Sequence, residues 1–296
     1  MVRSGRYDWL ADAAASRQPF QSFAGGIAII LASLSLAAGF FILAGLLTLS
    51  GMQTGDARLV QLGLLTLILS PVGAFMGITV GRRAMQPGGL DVLERDPRSP
   101  ILFLRSFFED TRPLSDVPMA GAQTNEETVL DGLMRISPSG HEAGLAKAFG
   151  RLGPMVAIGK PGDRLALVGA ARLYVDHLKW QEVVARLVSE ASATVLQPDG
   201  TPGTSWELEY VIRNANPRRI LLVIPNPRLR PLGYRRVRSL VAEVLPVILP
   251  EDPGPCDAFM FDDETQPIPL RLTGSPESGV RPFIDQIELL ESEPAC

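Results

Sequence analysis

Nine consecutive residues carry the densest chemistry in this chain: Asp199, Gly200, Thr201, Pro202, Gly203, Thr204, Ser205, Trp206 and Glu207. A glycine-rich turn here opens a helical pattern, and it holds two carboxylates, three hydroxyls and an indole. Backbone N–H groups at a helix start attract anions, and an indole stacks on a flat ring. A nucleotide offers both a phosphate and a flat ring. Glu207 is the candidate catalytic group, and Asp199, Thr201, Gly203, Thr204, Ser205 and Trp206 are candidate binding groups. The same residues also read as a capping box, in which Thr204 bonds the N–H of Glu207 and Glu207 reaches back to Thr204. Glu209 has Arg213 four residues on, the spacing of an exposed helical ion pair.

These residues need a frame. Short apolar runs of strand length occur at 101–104 (ILFL), 155–158 (MVAI), 193–196 (ATVL) and 220–224 (ILLVI). Helical patterns separate them at about 127–136, 142–152, 179–191 and 205–215, with a later one at 237–244. Strands apolar on both faces, alternating with helices, predict a parallel sheet covered on both sides. Further short strands are expected at 258–261 and 268–272, a last helix at about 280–290, and a long loop at 108–124.

Ligands of such sheets bind beyond the carboxyl ends of the strands. That rule adds Arg105 and Ser106 after the first run, and Lys160 and Asp163 after the second. Arg105 and Lys160 suit phosphates or a solvated rim. Asp163, after Pro161 and Gly162, suits a ribose hydroxyl or a turn, and Asp199 is likewise a turn residue. Trp180 falls on the apolar side of its helical pattern.

The amino-terminal third belongs to a different solvent. No charged residue occurs between Arg17 and Asp56, nor between Arg58 and Arg82. Each window holds a run of the roughly 20 apolar residues that a helix needs to cross a bilayer, at about 24–49 and 59–80. Arg3, Arg6 and Arg17 precede the first run, Arg82 and Arg83 close the second, and only Arg58 lies between. The positive-inside rule then predicts a multi-pass anchor in the inner membrane with both termini cytoplasmic. Gly73, Gly77 and Gly81 share one helix face, which suits packing of the hairpin on itself or between copies. No ionisable group interrupts either run to mark an ion path.

The expected organisation is a cytoplasmic segment at 1–23, a transmembrane hairpin at 24–83, a juxtamembrane linker at 84–100 and a cytoplasmic α/β domain at 101–296. A net charge of −4 gives no expectation of nucleic-acid binding. Cys256 and Cys296 stand far apart, and His141 and His177 are isolated, so neither a disulfide framework nor a metal site is expected. Arginines at 218, 219, 228, 230, 235, 236 and 238 form a basic segment suited to anionic lipid or to a solvated face.

The segment Gly203–Tyr210 (GTSWELEY) resembles the helix start of nucleoside 2-deoxyribosyltransferases, in which the acid follows the aromatic residue directly, as Glu207 follows Trp206. With the preceding strand, and with Ser205 and Trp206 opening the helix, it also resembles TIR domains. Their glutamate stands four residues after the tryptophan, where this chain has Tyr210. The resemblance spans about residues 101–225 and implies a flavodoxin-like sheet and cleavage of an N-glycosidic bond. It gives NAD or a related nucleotide as substrate or ligand, with no separate cofactor, and Glu207 as the acting carboxylate. It also implies possible homo-oligomers through the membrane helices or the α/β domain, and a setting in bacterial defence or stress signalling. A non-catalytic module of the same fold, sensing a nucleotide or self-associating, is the alternative.

Overall fold

The computed structural model describes residues 5–10, 13–15, 23–105, 138–159, 169–198, 201–224, 231–244, 248–272 and 276–292. They form two compact units. One is the apolar helix pair, and the other joins residues 5–15 to those from Pro87 onward.

In the first unit, α1 (Phe23–Thr54) and α2 (Ala57–Ala84) are long and apolar enough to cross a membrane, with mean hydropathies of 2.5 and 1.9. Asp56 caps α2, its carboxylate accepting from the Arg58 N–H at 2.9 Å. The helices pack on each other through small residues. Gly77 lies against Ser33, and Gly81 against Gly26 and Ile30. Between them, the Ser70 hydroxyl donates to the Ala37 carbonyl at 2.7 Å. Gly73, predicted on the same face, has open space around its Cα. The helix continues through Pro71.

The second unit is built on an eight-stranded sheet of order β1-β4-β3-β2-β5-β6-β7-β8. The strands are β1 (Ala14–Ala15), β2 (Ile101–Arg105), β3 (Met155–Gly159), β4 (Ala171–Val175), β5 (Ala193–Gln197), β6 (Ile220–Val223), β7 (Ala258–Phe261) and β8 (Pro267–Leu270). From β4 through β6 the pairings are parallel, while β1, β7 and β8 join antiparallel. The helices of this unit are α3 (Gly89–Arg95), α4 (Pro138–Phe149), α5 (Trp180–Glu190), α6 (Pro202–Asn214), α7 (Pro231–Val244), α8 (Pro276–Gly279) and α9 (Arg281–Ser292).

Side chains alternate across a strand, so each strand feeds two cores. Leu102, Leu104, Ile158, Leu173, Leu196 and Leu222 pack under α5, α6 and α7, against Val184, Leu187, Leu208, Val211, Val237 and Val241. Ile101, Phe103, Ala157, Val195 and Leu221 face α4 and α9, against Leu145, Phe149, Phe283 and Ile287. Each fully buried side chain of this kind contributes about 1.5–3 kcal/mol. The result is the three-layered α/β arrangement that alternating strands and helices predict.

Three features depart from the sequence expectation. First, β4 was not among the expected strands, because Arg172 interrupts its apolar run. Second, the strand changes the winding. Counted in chain order, the five parallel strands stand 3-2-1-4-5, whereas flavodoxin-like sheets stand 2-1-3-4-5. Third, the segment before the first span is part of this unit. Tyr7 and Leu10 are buried in its core, and Ala14 and Ala15 pair with Val175 and Tyr174. Similarly, the expected linker contains α3, whose Leu93 is fully buried. The predicted loop at 108–124 and helix at 127–136 lie outside the described residues.

Candidate functional site

In a doubly wound sheet the crevice opens where the strand order reverses. From β2 the chain winds outward to β3 and β4, then returns past β2 to β5 and β6. The reversal therefore lies between β2 and β5. Their last residues, Arg105 and Gln197, are direct register partners, and α6 begins at Pro202, shortly after β5 ends.

Helix α6 starts one turn earlier than the sequence pattern suggested. Thr201 is its N-cap, with extended backbone (φ −73°, ψ 156°), and its hydroxyl accepts from the Thr204 N–H at 3.5 Å. Pro202 occupies the first turn, where its missing N–H and fixed φ fit. The Thr204 hydroxyl lies 3.2 Å from the Thr201 carbonyl, to which it donates. Thr204 therefore lies inside the first turn and does not hold the N-cap position that a capping box over Thr204 and Glu207 requires. The cap is Thr201, and Glu207 stands in the second turn.

This register separates the predicted site into two faces. Thr204 and Glu207, each 5% exposed, lie on the buried side of α6 with Leu208 and Val211. Ser205 and Trp206 line a groove of about 400 Å³ between α6 and α7, together with Pro202, Glu209, Arg213 and Glu243. Glu207 is not in its wall. The Trp206 ring is stacked on Tyr210 (5.2 Å between centroids, 19° between planes) and meets the edge of Trp180 at 4.9 Å. One indole face is thus covered by its own helix. Glu209 and Arg213 form the predicted surface pair, at 2.8 Å. Gly203 lies exposed in the first turn with open space beside it.

Arg105 approaches the carboxyl edge from the opposite face of the sheet. It is 7% exposed, and its Nη1 stands 3.5 Å from Oε2 of Glu142 on α4. The same oxygen accepts from Nη2 of Arg172 at 2.8 Å, while Oε1 accepts from the Ala170 N–H at 3.0 Å. Glu142 and Arg172 are 2% and 3% exposed. Gly169, at φ +147°, brings the chain against the Glu142 side chain, and a Cβ there would collide with the carboxylate. One carboxylate thus serves two buried guanidiniums, and Nη1 of Arg172 has no hydrogen-bond partner among the described residues.

Sequence reasoning found Arg105 but missed Glu142 and Arg172. The available signal was an arginine inside the apolar run 171–175, which folding tolerates only with a paired anion. Ser106, Lys160, Asp163 and Asp199 lie outside the described residues. Among the described residues no cluster of three or more His, Cys, Asp or Glu side chains has metal-binding geometry.

No protein-family model, no curated protein and no solved structure matches this chain.

Proposed function

We propose that this chain is a membrane-anchored α/β domain that binds a nucleotide at the carboxyl edge of its sheet, between β2 and β5. The observation that carries this reading is the reversal of strand order at that point, with Arg105 and Gln197 side by side at the strand ends and the start of α6 close by. Strand-end arginine and helix-start N–H groups are the donors that a nucleotide phosphate requires.

The hairpin holds the domain on the cytoplasmic face of the inner membrane. Two observations support that topology. Arginines flank the outer ends of the two apolar runs, where the positive-inside rule retains them. Residues 5–15 and those from Pro87 onward also belong to one folded unit, so the chain leaves and re-enters the same domain. A cysteine at position 55, between the helices, is then labelled by a membrane-impermeant maleimide from the periplasmic side. A cysteine at position 5 is labelled only after lysis. The reverse pattern excludes this orientation.

A catalytic form of the reading rests on Glu207. Its carboxylate is buried on the inner side of α6, whose N-cap side chain is that of Thr201. In NAD the bond between the ribosyl carbon and the nicotinamide nitrogen would break, its electron pair leaving with the base as neutral nicotinamide. Glu207 would stabilise the positive charge on the sugar or attack that carbon, and water would then supply the hydroxyl and release a proton. The resemblance to deoxyribosyltransferases and TIR domains supports this chemistry through the β5–α6 segment, while the strand order does not extend it to the whole sheet. Nicotinamide release by the full-length protein in membranes, absent in Glu207→Gln, is the expected result. Release unchanged in the variant removes Glu207 from the chemistry. Nucleotide binding without release leaves the domain as a sensing or self-association module.

A further inference from the structure

We infer that the groove between α6 and α7 is a binding site for a small organic cation, with Glu243 as the counter-charge and an apolar floor for the body of the molecule. The site does not rest on the nucleotide reading, because Thr204 and Glu207 lie on the other side of α6.

The cavity comes first. At about 400 Å³ the groove has the size of a small-molecule pocket. Leu208 of α6 forms its floor with Leu240 and Val244 of α7. Leu208 is fully buried, and the other two are partly buried against the same core. Trp206 is a fixed wall, because Tyr210 and Trp180 hold its ring from two directions.

The charge of the walls then selects the occupant. Three charged side chains line the groove, Glu209, Arg213 and Glu243. Arg213 Nη2 stands 2.8 Å from Glu209 Oε1, so these two offset each other. Glu243 remains, exposed on the last turn of α7 and without an ion pair among the described residues. The carbonyl groups of that turn add to its field, since the carboxyl end of a helix is the negative end of its dipole. An anion is repelled here, a nucleotide phosphate included. A cation with an apolar body satisfies both the floor and the carboxylate. Because Glu243 is solvated, its attraction is modest and screened by salt. The floor therefore supplies most of the affinity, and the carboxylate supplies the choice of charge.

The test uses the full-length protein in a nonionic maltoside detergent, which brings no charged head group, with isothermal calorimetry at low salt. Three probes share one body and differ in charge: phenylbutylammonium, neutral phenylbutanamide and phenylbutyrate. The cation should bind saturably and about three-fold or more tightly than the amide, and more tightly still than the anion. High salt should shrink that preference. Glu243→Lys should reverse it, so that phenylbutyrate binds more tightly than the cation. Arg213→Gln, which frees Glu209, should strengthen cation binding. Val244→Trp, which fills the groove, should abolish binding of all three probes while circular dichroism reports a folded domain. Equal binding of the three probes, no binding of the cation, or a preference that Glu243→Lys leaves in place would each overturn the site. Cation binding that survives in folded Val244→Trp would also overturn it, since the molecule would then bind elsewhere.

Discussion

Gly88 and Arg172 form a parallel backbone bridge, which ties the start of α3 to the strand that bears the buried arginine. The next residue, Gly89, lies against the same strand. A Cβ on it would stand 2.7 Å from the Leu173 side chain and 2.9 Å from the Arg172 carbonyl oxygen. Because the carbonyl is main chain, only a shift of α3 or β4 would relieve the clash. Gly89→Ala is expected to cost about 1–3 kcal/mol, read as a fall in Tm, whereas Gly203→Ala, in open space, should leave the Tm close to wild type.

Glu142 is the only described partner that ion-pairs both Arg105 and Arg172. Removing it leaves two guanidiniums buried without their shared anion. Glu142→Ala is expected to destabilise the domain by about 3–5 kcal/mol. In a double-mutant cycle with Arg172→Met, the combined loss should be well below the sum of the single losses. Additive losses would show that the pair is not coupled.

The start of α6 gives a discriminating pair of variants. With Thr201 as the cap, Thr201→Ala should cost about 1 kcal/mol, and Glu207→Gln should leave helix initiation unchanged. A capping box at Thr204 and Glu207 would give the opposite ranking in thermal unfolding.

Cys256 is buried, and burial, with the charge of Asp257 beside it, pushes its thiol up to about 11. The raised value favours the protonated form in the folded state. Its stabilising contribution is complete below the ordinary value near 9 and is lost as pH rises through about 11. Tyr234 behaves similarly, its hydroxyl donating to the Pro250 carbonyl at 2.6 Å and burial pushing it up to about 12. The domain should therefore lose stability above about pH 9. At pH 8 the native protein should leave Cys256 unmodified by iodoacetamide, with alkylation appearing on unfolding in peptide mass spectra.

Much of this architecture was legible from residue patterns. The runs at 101–104, 155–158, 193–196 and 220–224 become β2, β3, β5 and β6, because continuous apolarity marks strands buried on both sides. What escaped was set by contacts remote in sequence. Arg172 disguised β4 until Glu142, 30 residues away, neutralised it. Tyr7 and Leu10 are too few to signal a core element, yet both are buried in the same core as Leu93 of α3 and Val175 of β4. The reading of α6 failed more locally, for Pro202 in the first turn already favoured Thr201 over Thr204 as the cap. Of the candidate site, Arg105 was found from its strand end, and Trp206 and Glu207 from their chemistry. That they occupy different faces follows only once the helix start is fixed.

The most direct test of the central claim is nucleotide binding by the full-length protein in phosphatidylcholine nanodiscs, measured by isothermal calorimetry with NAD and ATP. The account predicts saturable, one-site binding that survives Glu207→Gln and weakens at least ten-fold in Arg105→Gln, with that variant still folded by circular dichroism. Absence of binding by the wild type at millimolar nucleotide, or equal affinity in Arg105→Gln, would contradict it.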